Sequence, residues 1–331
     1  MNISTLLDMA AEAFGDRVDV TCCDDRYTYA ELRDCALRAA ASFKASGAKY
    51  AGLLDVNSPA APIAIFGAAY AGIPYVPLNY RLTAPEINEL IDRVSPVYLV
   101  VGDEYRKLVT PREGVKLVDR LAFLCLPAPE GELPTASEDI RDVAVQLFTS
   151  GTTGEPKAAI LRHENLSSYI VGTIEFASAG EDDANLVTVP PYHIAGISAV
   201  LSSTYACRRM VQMEGFDPKT WVDTARKENT TLGFLVPTML SRIIDHMEAS
   251  GNTSLPSMRS IAYGGGKMPL SSIQRAMQFL PQVDFTNAYG LTETSATVCV
   301  LGPDDHRAAA GSNDAKVRAR LVSVGKPTSA V

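Results

Sequence analysis

Short apolar segments alternate with stretches of helical period along most of this chain, and that alternation restricts the fold more than any other feature. Tyr50 to Val56 is a short apolar segment. Asn57-Ser58-Pro59 then turns into a small-residue helical stretch, Ala60 to Ala71, which Gly72-Ile73-Pro74 stops. Tyr75 to Leu78 follows as a strand, Thr83-Ala84-Pro85-Glu86 has the form of a capping box opening a helix through Asp92, and Val97 to Val101 is the next strand. Upstream, Thr28-Tyr29-Ala30-Glu31 is a similar box, before a helix with Leu32, Cys35, Ala36, Ala39, Ala40 and Phe43 on one side and Gly47 at its end. Met1 to Phe14 has the spacing of an amphipathic helix. The pattern predicts an α/β fold, doubly wound, with mostly parallel sheets packed by helices on both faces.

The same alternation restarts after a Pro-, Glu- and Gly-bearing connection, Pro127 to Ser137, which places a soft boundary between a first α/β unit (1–136) and a second (137–331) that interleave. Expected elements of the second unit are a helix at Leu166 to Ala177, a strand at Asn185 to Val189, a small-residue helix at Ile194 to Ala206 and an amphipathic helix around Trp221. A strand at Thr231 to Val236 and a helix from Pro237 to Met247 come next. Met258 to Tyr263 is strand-like and runs into Gly264-Gly265-Gly266, Leu270 to Leu280 is a helix, and Val283 to Ala288 is a strand leading to Tyr289. Glycines and turns follow strand after strand, which is where an open α/β sheet binds its ligands.

Composition excludes several function classes. A net charge of −8 argues against a nucleic-acid surface. The six cysteines are scattered without a Cys-x-x-Cys pair, so neither a zinc site nor a disulfide framework is suggested, and reduced thiols in a cytoplasmic protein are expected. No signal peptide is expected. The longest apolar stretch, Ala60 to Val76, is interrupted by Pro62, Gly67, Gly72 and Pro74, which speaks against a transmembrane segment.

Chemistry begins at Leu147. Val143 to Phe148 has strand composition and ends in a block of small residues, Thr149 to Gly154, that cannot pack a core. Gly151 and Gly154 let successive N–H groups turn inward on an anion, Thr149, Ser150, Thr152 and Thr153 add hydroxyl donors, and Lys157 supplies positive charge. This reads as a phosphate loop. It does not fit the Walker pattern, because no Gly-Lys-Ser/Thr follows the second glycine and Pro156 precedes the lysine.

The string Thr149-Ser150-Gly151-Thr152-Thr153-Gly154-Glu155-Pro156-Lys157 closely resembles the signature loop of the adenylate-forming, or AMP-binding, superfamily: acyl-CoA synthetases, the adenylation domains of peptide synthetases, and beetle luciferase. Tyr289-Gly290-Leu291-Thr292-Glu293-Thr294 resembles the superfamily's second signature almost letter for letter. Its residue types suit the task, since an aromatic can stack on a base, a hydroxyl can bond a phosphate and a carboxylate can hold a hard cation. The resemblance implies that Tyr289 stacks on adenine, Thr292 contacts the α-phosphate and Glu293 ligates Mg2+. Asn287, Ala288 and Gly290 are carried over with them as nucleotide-binding positions. Tyr263-Gly264-Gly265-Gly266-Lys267 resembles the family's glycine-rich strand end, implying that Gly264, Gly265 and Gly266 line the adenine and acyl group, their absent side chains leaving room for a bulky acid.

Pro190-Pro191-Tyr192-His193-Ile194-Ala195-Gly196 resembles the remaining motif, which places His193 between the carboxylate site and a thiol channel. His163, His246 and His306 lack such a context and are expected to be structural or surface residues. Tyr192-His193-Ile194 offers no acid to pair with a substrate ammonium, so the resemblance implies a carboxylic acid without an α-amino group. The implied parent activity is that of an acyl-CoA synthetase: ATP-dependent formation of an acyl-adenylate, then transfer to coenzyme A, with His193, Thr292, Glu293 and Lys157 as the catalytic set. A carrier-protein acyl ligase and a non-catalytic adenylate-binding module are the alternatives. Partners are then a small carboxylic acid, ATP and coenzyme A, with a homodimer among the assemblies admitted. After Gly325-Lys326-Pro327 the family continues with a ribose-binding aspartate, a hinge and a small C-terminal domain bearing a lysine. The sequence is therefore expected to be a truncated piece of the large domain rather than a degenerate gene product.

Overall fold

Local chemistry fixes the helices at both ends. Thr28 caps the Tyr29–Ser46 helix, its hydroxyl accepting from the Glu31 N–H at 3.2 Å while the Glu31 carboxylate accepts from the Thr28 N–H at 2.8 Å. Gly47, at φ 70, closes the other end in a left-handed turn that other residues adopt at a cost. The Ala60–Ala71 helix begins just after Pro59 and ends at Gly72, and every one of its residues is buried. Its small side chains allow close contact with the Tyr29–Ser46 helix. A Cβ on Gly67 would lie 2.9 Å from the Ala39 Cβ, so the two helices meet almost backbone to backbone.

The computed structural model describes residues 1–129, 131–149 and 156–328. In chain order its strands are β1 (Val18–Cys22), β2 (Asp25–Thr28), β3 (Tyr50–Leu54), β4 (Tyr75–Pro77), β5 (Val97–Val101), β6 (Val115–Asp119), β7 (Val143–Thr149) and β8 (Lys157–Arg162). They continue as β9 (Ala184–Val187), β10 (Arg209–Gln212), β11 (Leu232–Leu235), β12 (Ser260–Gly264), β13 (Asp284–Leu291), β14 (Ala296–Leu301) and β15 (Lys326–Pro327). Among the described residues, β6-β5-β3-β4-β7-β8 form one sheet and β15-β14-β13-β12-β11-β9-β10-β1-β2 the other. Interior strands and the β6 edge pair in parallel, and the other edges are antiparallel: β7 with β8, β1 with β2, β13 with β14, and β14 with β15. The doubly wound α/β expectation therefore holds, with antiparallel edges added.

Each sheet draws strands from both sides of residue 136. β1 pairs with β10, joining the start of the chain to the second sheet, while β4 pairs with β7, joining residues beyond 136 to the first. Each sheet is thus assembled from strands on both sides of residue 136. A large core lies around the Tyr29–Ser46 and Ala60–Ala71 helices, with Phe43 and Phe123 stacked at 5.9 Å and Tyr98 edge-on to Phe43 at 4.9 Å. A second surrounds Trp221, Ile243, Met247 and Phe285.

Several element boundaries differ from the sequence reading, and two of these elements lie beside the motif residues. The helix expected at Leu166 to Ala177 spans His163–Thr173, because the Asn165 side chain accepts from the Arg162 N–H at 2.9 Å and starts it early, while Ile174 is already extended. The strand expected to stop at Ala288 runs to Leu291, because β14 returns alongside it and pairs Gly290 with Thr297 and Leu291 with Ala296. No helix among the described residues is long and apolar enough to cross a membrane, and the six cysteines are unpaired.

Candidate active site

β9, β11, β12 and β13 are parallel neighbours, so their carboxyl ends open on one edge of the second sheet. That edge carries the Pro190–Gly196 turn after β9, the triple glycine after β12 and the Tyr289–Thr294 segment at the end of β13, as the switch-point rule for open sheets leads one to expect. The backbone here is closely packed. Gly264 pairs with Ala288, and a Cβ on Gly264 would lie 2.3 Å from the Ala288 carbonyl oxygen. The missing side chain at Gly264 therefore accommodates the neighbouring strand, which corrects the expectation that it leaves room for the acid. Gly265 sits at φ 71, where a side chain is strained, and Cβ atoms at Gly265 and Gly266 would meet Val236 at 3.5 Å and Pro237 at 3.8 Å, ordinary contact distances without the clash found at Gly264. Gly290 is the tightest point, since a Cβ there would lie 1.5 Å from the Ala296 carbonyl oxygen.

Two side chains at the same edge are uncommitted. Tyr289 is 45% exposed, Glu293 is exposed, and no hydrogen bond or ion pair engages the Glu293 carboxylate among the described residues. Thr292–Thr294 is one turn of 3-10 helix, held by the Thr294 hydroxyl, which accepts from the Leu291 N–H at 2.9 Å and donates to a neighbouring carbonyl. Asn287 is used structurally: its Nδ2 donates to the Ser323 carbonyl at 2.9 Å and ties the strand to the chain's last segment. That contact competes with the nucleotide role expected of its side chain.

The strand pair that flanks the first motif, β7 and β8, belongs to the other sheet. β7 ends at Thr149 and β8 begins at Lys157; the two residues pair across the hairpin, the Thr149 hydroxyl lying 3.4 Å from the Lys157 carbonyl. Ser150, Gly151, Thr152, Thr153 and Gly154 lie outside the described residues. Lys157 is exposed. Arg93, which sequence reasoning missed, grips the hairpin base from two sides: it donates to the Pro156 carbonyl at 2.6 Å and lies over the Phe148 ring at 5.1 Å.

β8 then packs against the Thr292–Thr294 turn, so the strand that follows the first motif meets the second motif across the two sheets. A cavity of about 490 Å³ opens between them, with Ile160, Glu164, Tyr169, Glu293 and Thr294 among its lining residues. The Tyr169 hydroxyl donates to Thr297 Oγ1 at 3.2 Å and fastens its far wall. A larger cleft of about 1020 Å³, lined by Arg17, Arg26, Arg209 and Glu228 among others, holds none of the motif residues.

His193 stands at the N-terminus of the Ile194–Tyr205 helix. Its ring packs on Tyr192 at 4.5 Å, Tyr192 meets Tyr80 at 5.2 Å, and Tyr80 meets Tyr105 at 5.1 Å, with the Arg81 guanidinium over Tyr80 at 5.9 Å. Burial of its packed face, and then the Arg81 charge, lower the His193 pKa and favour the neutral imidazole. Tyr80, Tyr105 and Arg81 come from the first sheet's loops, more than eighty residues away in sequence, and no sequence signal linked them to the histidine. Among the described residues no hydrogen bond, ion pair or ring contact joins His193 to Lys157, Tyr289, Thr292 or Glu293; it shares their edge but not their contacts. The other histidines behave as expected of structural groups. His163 accepts from the Ile3 N–H at 3.3 Å, with burial holding its pKa down to about 4, and His306 bonds the Tyr263 hydroxyl at 2.8 Å.

No cluster of three or more His, Cys, Asp or Glu side chains among the described residues could enclose a metal by itself. An exposed, unpaired carboxylate such as that of Glu293 nevertheless suits Mg2+, which takes few protein ligands and completes its shell with phosphate oxygens and water.

A model of the AMP-binding enzyme family matches residues 7–330. Feruloyl-CoA synthase from an Amycolatopsis species is 30% identical over 278 residues, 83% of this chain and 56% of that protein. A fatty acid–(acyl-carrier-protein) ligase from Streptomyces coeruleorubidus is 30% identical over 256 residues, 73% of this chain and 48% of that protein. The chain thus spans about half the length of these curated relatives. The N-terminal domain of FACL13 from Mycobacterium tuberculosis superposes with a TM-score of 0.83 at 24% identity, covering 99% of this chain and 82% of that one, which shows the shared fold. The motifs, their common edge and the match along nearly the whole sequence agree: the chain belongs to the AMP-binding enzyme family.

Proposed function

We propose that this protein uses ATP to activate a carboxylic acid and then passes the acyl group to a thiol, with coenzyme A as the acceptor. The observation that carries the proposal is the approach of β8, the strand that follows the first motif, to the Thr292–Thr294 turn, with Ile160 and the free Glu293 carboxylate lining one cavity. In the first step a carboxylate oxygen attacks the α-phosphorus, the bond to the bridging oxygen breaks, and pyrophosphate leaves with that electron pair. In the second, a thiol sulfur attacks the acyl carbon, its proton is lost, and AMP leaves.

Each residue has a role in this reading. Lys157 and the loop hydroxyls neutralise the β- and γ-phosphates, Tyr289 offers its exposed ring to adenine, and Thr292 bonds the α-phosphate. Glu293 would hold Mg2+, which when bound neutralises charge on the phosphates. Gly265 and Gly266 leave space for the acyl group. The neutral His193 stands where the thiol enters, able to accept a hydrogen bond or a proton. The acid is a fatty or related acid without an α-amino group, since the Tyr192-His193-Ile194 turn presents no carboxylate for an ammonium. A cytoplasmic location fits six unpaired cysteines.

A carrier-protein acceptor is the second reading, favoured by the Streptomyces relative that loads such a carrier. Incubating the protein with ATP, a panel of acids and either acceptor, and weighing the products by mass spectrometry, separates the two. Acid-dependent pyrophosphate release with neither adenylate nor thioester formed would remove both.

A further inference from the structure

We propose that Asn57 is a positioning residue for His193, its side-chain amide holding the turn that carries the histidine at a set place between the two sheets. Asn57 lies just past β3 and is 3% exposed. Its Nδ2 donates to the Val189 carbonyl at 3.1 Å and to the Met213 carbonyl at 3.1 Å. Val189 follows β9 and Met213 follows β10, adjacent parallel strands, so both bonds land on neighbouring strand tips of the second sheet. An amide gives its two hydrogens in one plane and in fixed directions, so a two-pronged contact fixes orientation as well as distance.

From Val189 to His193 there is little slack. The intervening chain is Pro190-Pro191-Tyr192, and the two proline rings lock their φ angles. The His193 N–H donates back to the Pro190 carbonyl at 3.1 Å, and the Gly196 N–H donates to the His193 carbonyl at 2.9 Å. Gly196 must be glycine for the turn to close, since a Cβ there would lie 2.6 Å from the Pro190 carbonyl oxygen. A displacement of Val189 is therefore passed to His193 almost undiminished.

The other end of the tether is equally firm. The Val56 N–H donates to Asp55 Oδ1 at 2.8 Å, and Arg120 Nη1 lies 3.3 Å from both Asp55 Oδ2 and Glu214 Oε1. Glu214 is the residue after Met213, so a second bridge joins the sheets beside the first. The phosphate-loop hairpin on the first sheet and His193 on the second are thereby held in one frame. The kinetic consequence rests on the function proposed above; the positional claim does not.

Histidine-selective labelling and NMR test it on the whole chain, which has four histidines. The ring of His193 meets Tyr192 and the charge of Arg81, so its titration reports its placement against them. In Asn57→Ala the His193 titration should rise by about half a pH unit or more toward the ordinary value, while buried His163 and His306 keep theirs. Replacing Pro190 and Pro191 by glycine leaves Asn57 intact and should give the same shift, and combining the two changes should add little, as expected for one mechanical path. An unmoved His193 in both variants would overturn the proposal, as would equal shifts at all three sites. In the activity arm, thioester formation should fall roughly tenfold or more with the KM for ATP within about twofold. Absence of any acid-dependent pyrophosphate exchange in the wild type would count against the proposed function alone, since the NMR shift judges Asn57 independently.

Discussion

The Ala60–Ala71 helix and the Tyr289–Thr294 segment belong to the same fold and are built in opposite ways. In the helix every side chain is buried and the backbone makes its own hydrogen bonds, so stability comes from side-chain packing. In the segment Tyr289, Leu291 and Glu293 point outward, and the rigidity comes from the backbone: Gly290 pressed on Ala296, and Leu291 and Thr294 bonded to one another. A stiff backbone with uncommitted side chains is what a preformed site for a charged ligand needs, because little reorganisation accompanies binding. The contrast teaches where fold and function can be separated by mutation.

The largest expected effect breaks the backbone side of that contrast. Gly290→Val forces a side chain into the Ala296 carbonyl and should cost on the order of 4 kcal/mol or prevent folding altogether. Chemical denaturation checks it, and a stable Gly290→Val protein would show that the strand pair is looser than drawn. Glu293→Ala tests the other side. An exposed, unpaired carboxylate contributes little to stability, so unfolding should shift by no more than about 0.5 kcal/mol while acid-dependent adenylation falls about a hundredfold or more. Comparable losses in both would place Glu293 in the structure rather than in the chemistry. Lys157→Ala should act more narrowly, raising the KM for ATP about tenfold, as expected on losing one charge-assisted contact, with the KM for the acid little changed.

A pH-dependent effect concerns a buried group at the junction of the sheets. Burial pushes Asp55 up to about 6, against the opposing pull of Arg120. A folded value above that of an unfolded aspartate means that the proton is held more tightly in the folded state. The associated stabilisation is complete below about pH 4 and is lost as pH rises through about 6. Relative to Asp55→Asn, the wild type should gain about 2 kcal/mol between about pH 7.5 and about pH 4.5, read by urea melts at each pH. A pH-independent difference between the two proteins would mean that Asp55 is ionised throughout.

What the sequence made legible follows the same division. The Ala60–Ala71 helix could be read to the residue because Pro59 and Gly72 bracket it, and Val97–Val101 because five apolar residues in a row suit a fully buried strand. The motif residues announced themselves by type and order. Hidden were the relations between distant segments: the return of β14 that extends β13 and makes Gly290 obligatory, the amide of Asn57 reaching Val189 and Met213, and the ring contacts linking Tyr80 and Tyr105 to the His193 turn. Each depends on tertiary neighbours, which local propensity does not encode.

The central claim is the proposal that the second-sheet edge carrying Gly264 to Gly266 and Tyr289 to Glu293, with β8 of the first sheet against it, is an adenylate site. Calorimetry of this chain with a non-hydrolysable acyl-adenylate mimic tests it most directly, because the nucleotide and acyl parts are tethered and their contributions partly sum. The account predicts one mimic bound per chain, with binding weakened about tenfold in Tyr289→Ala, on the scale of a lost base-stacking contact. A folded wild-type chain that takes up no mimic, or a Tyr289→Ala chain that binds it as well as wild type, would contradict it.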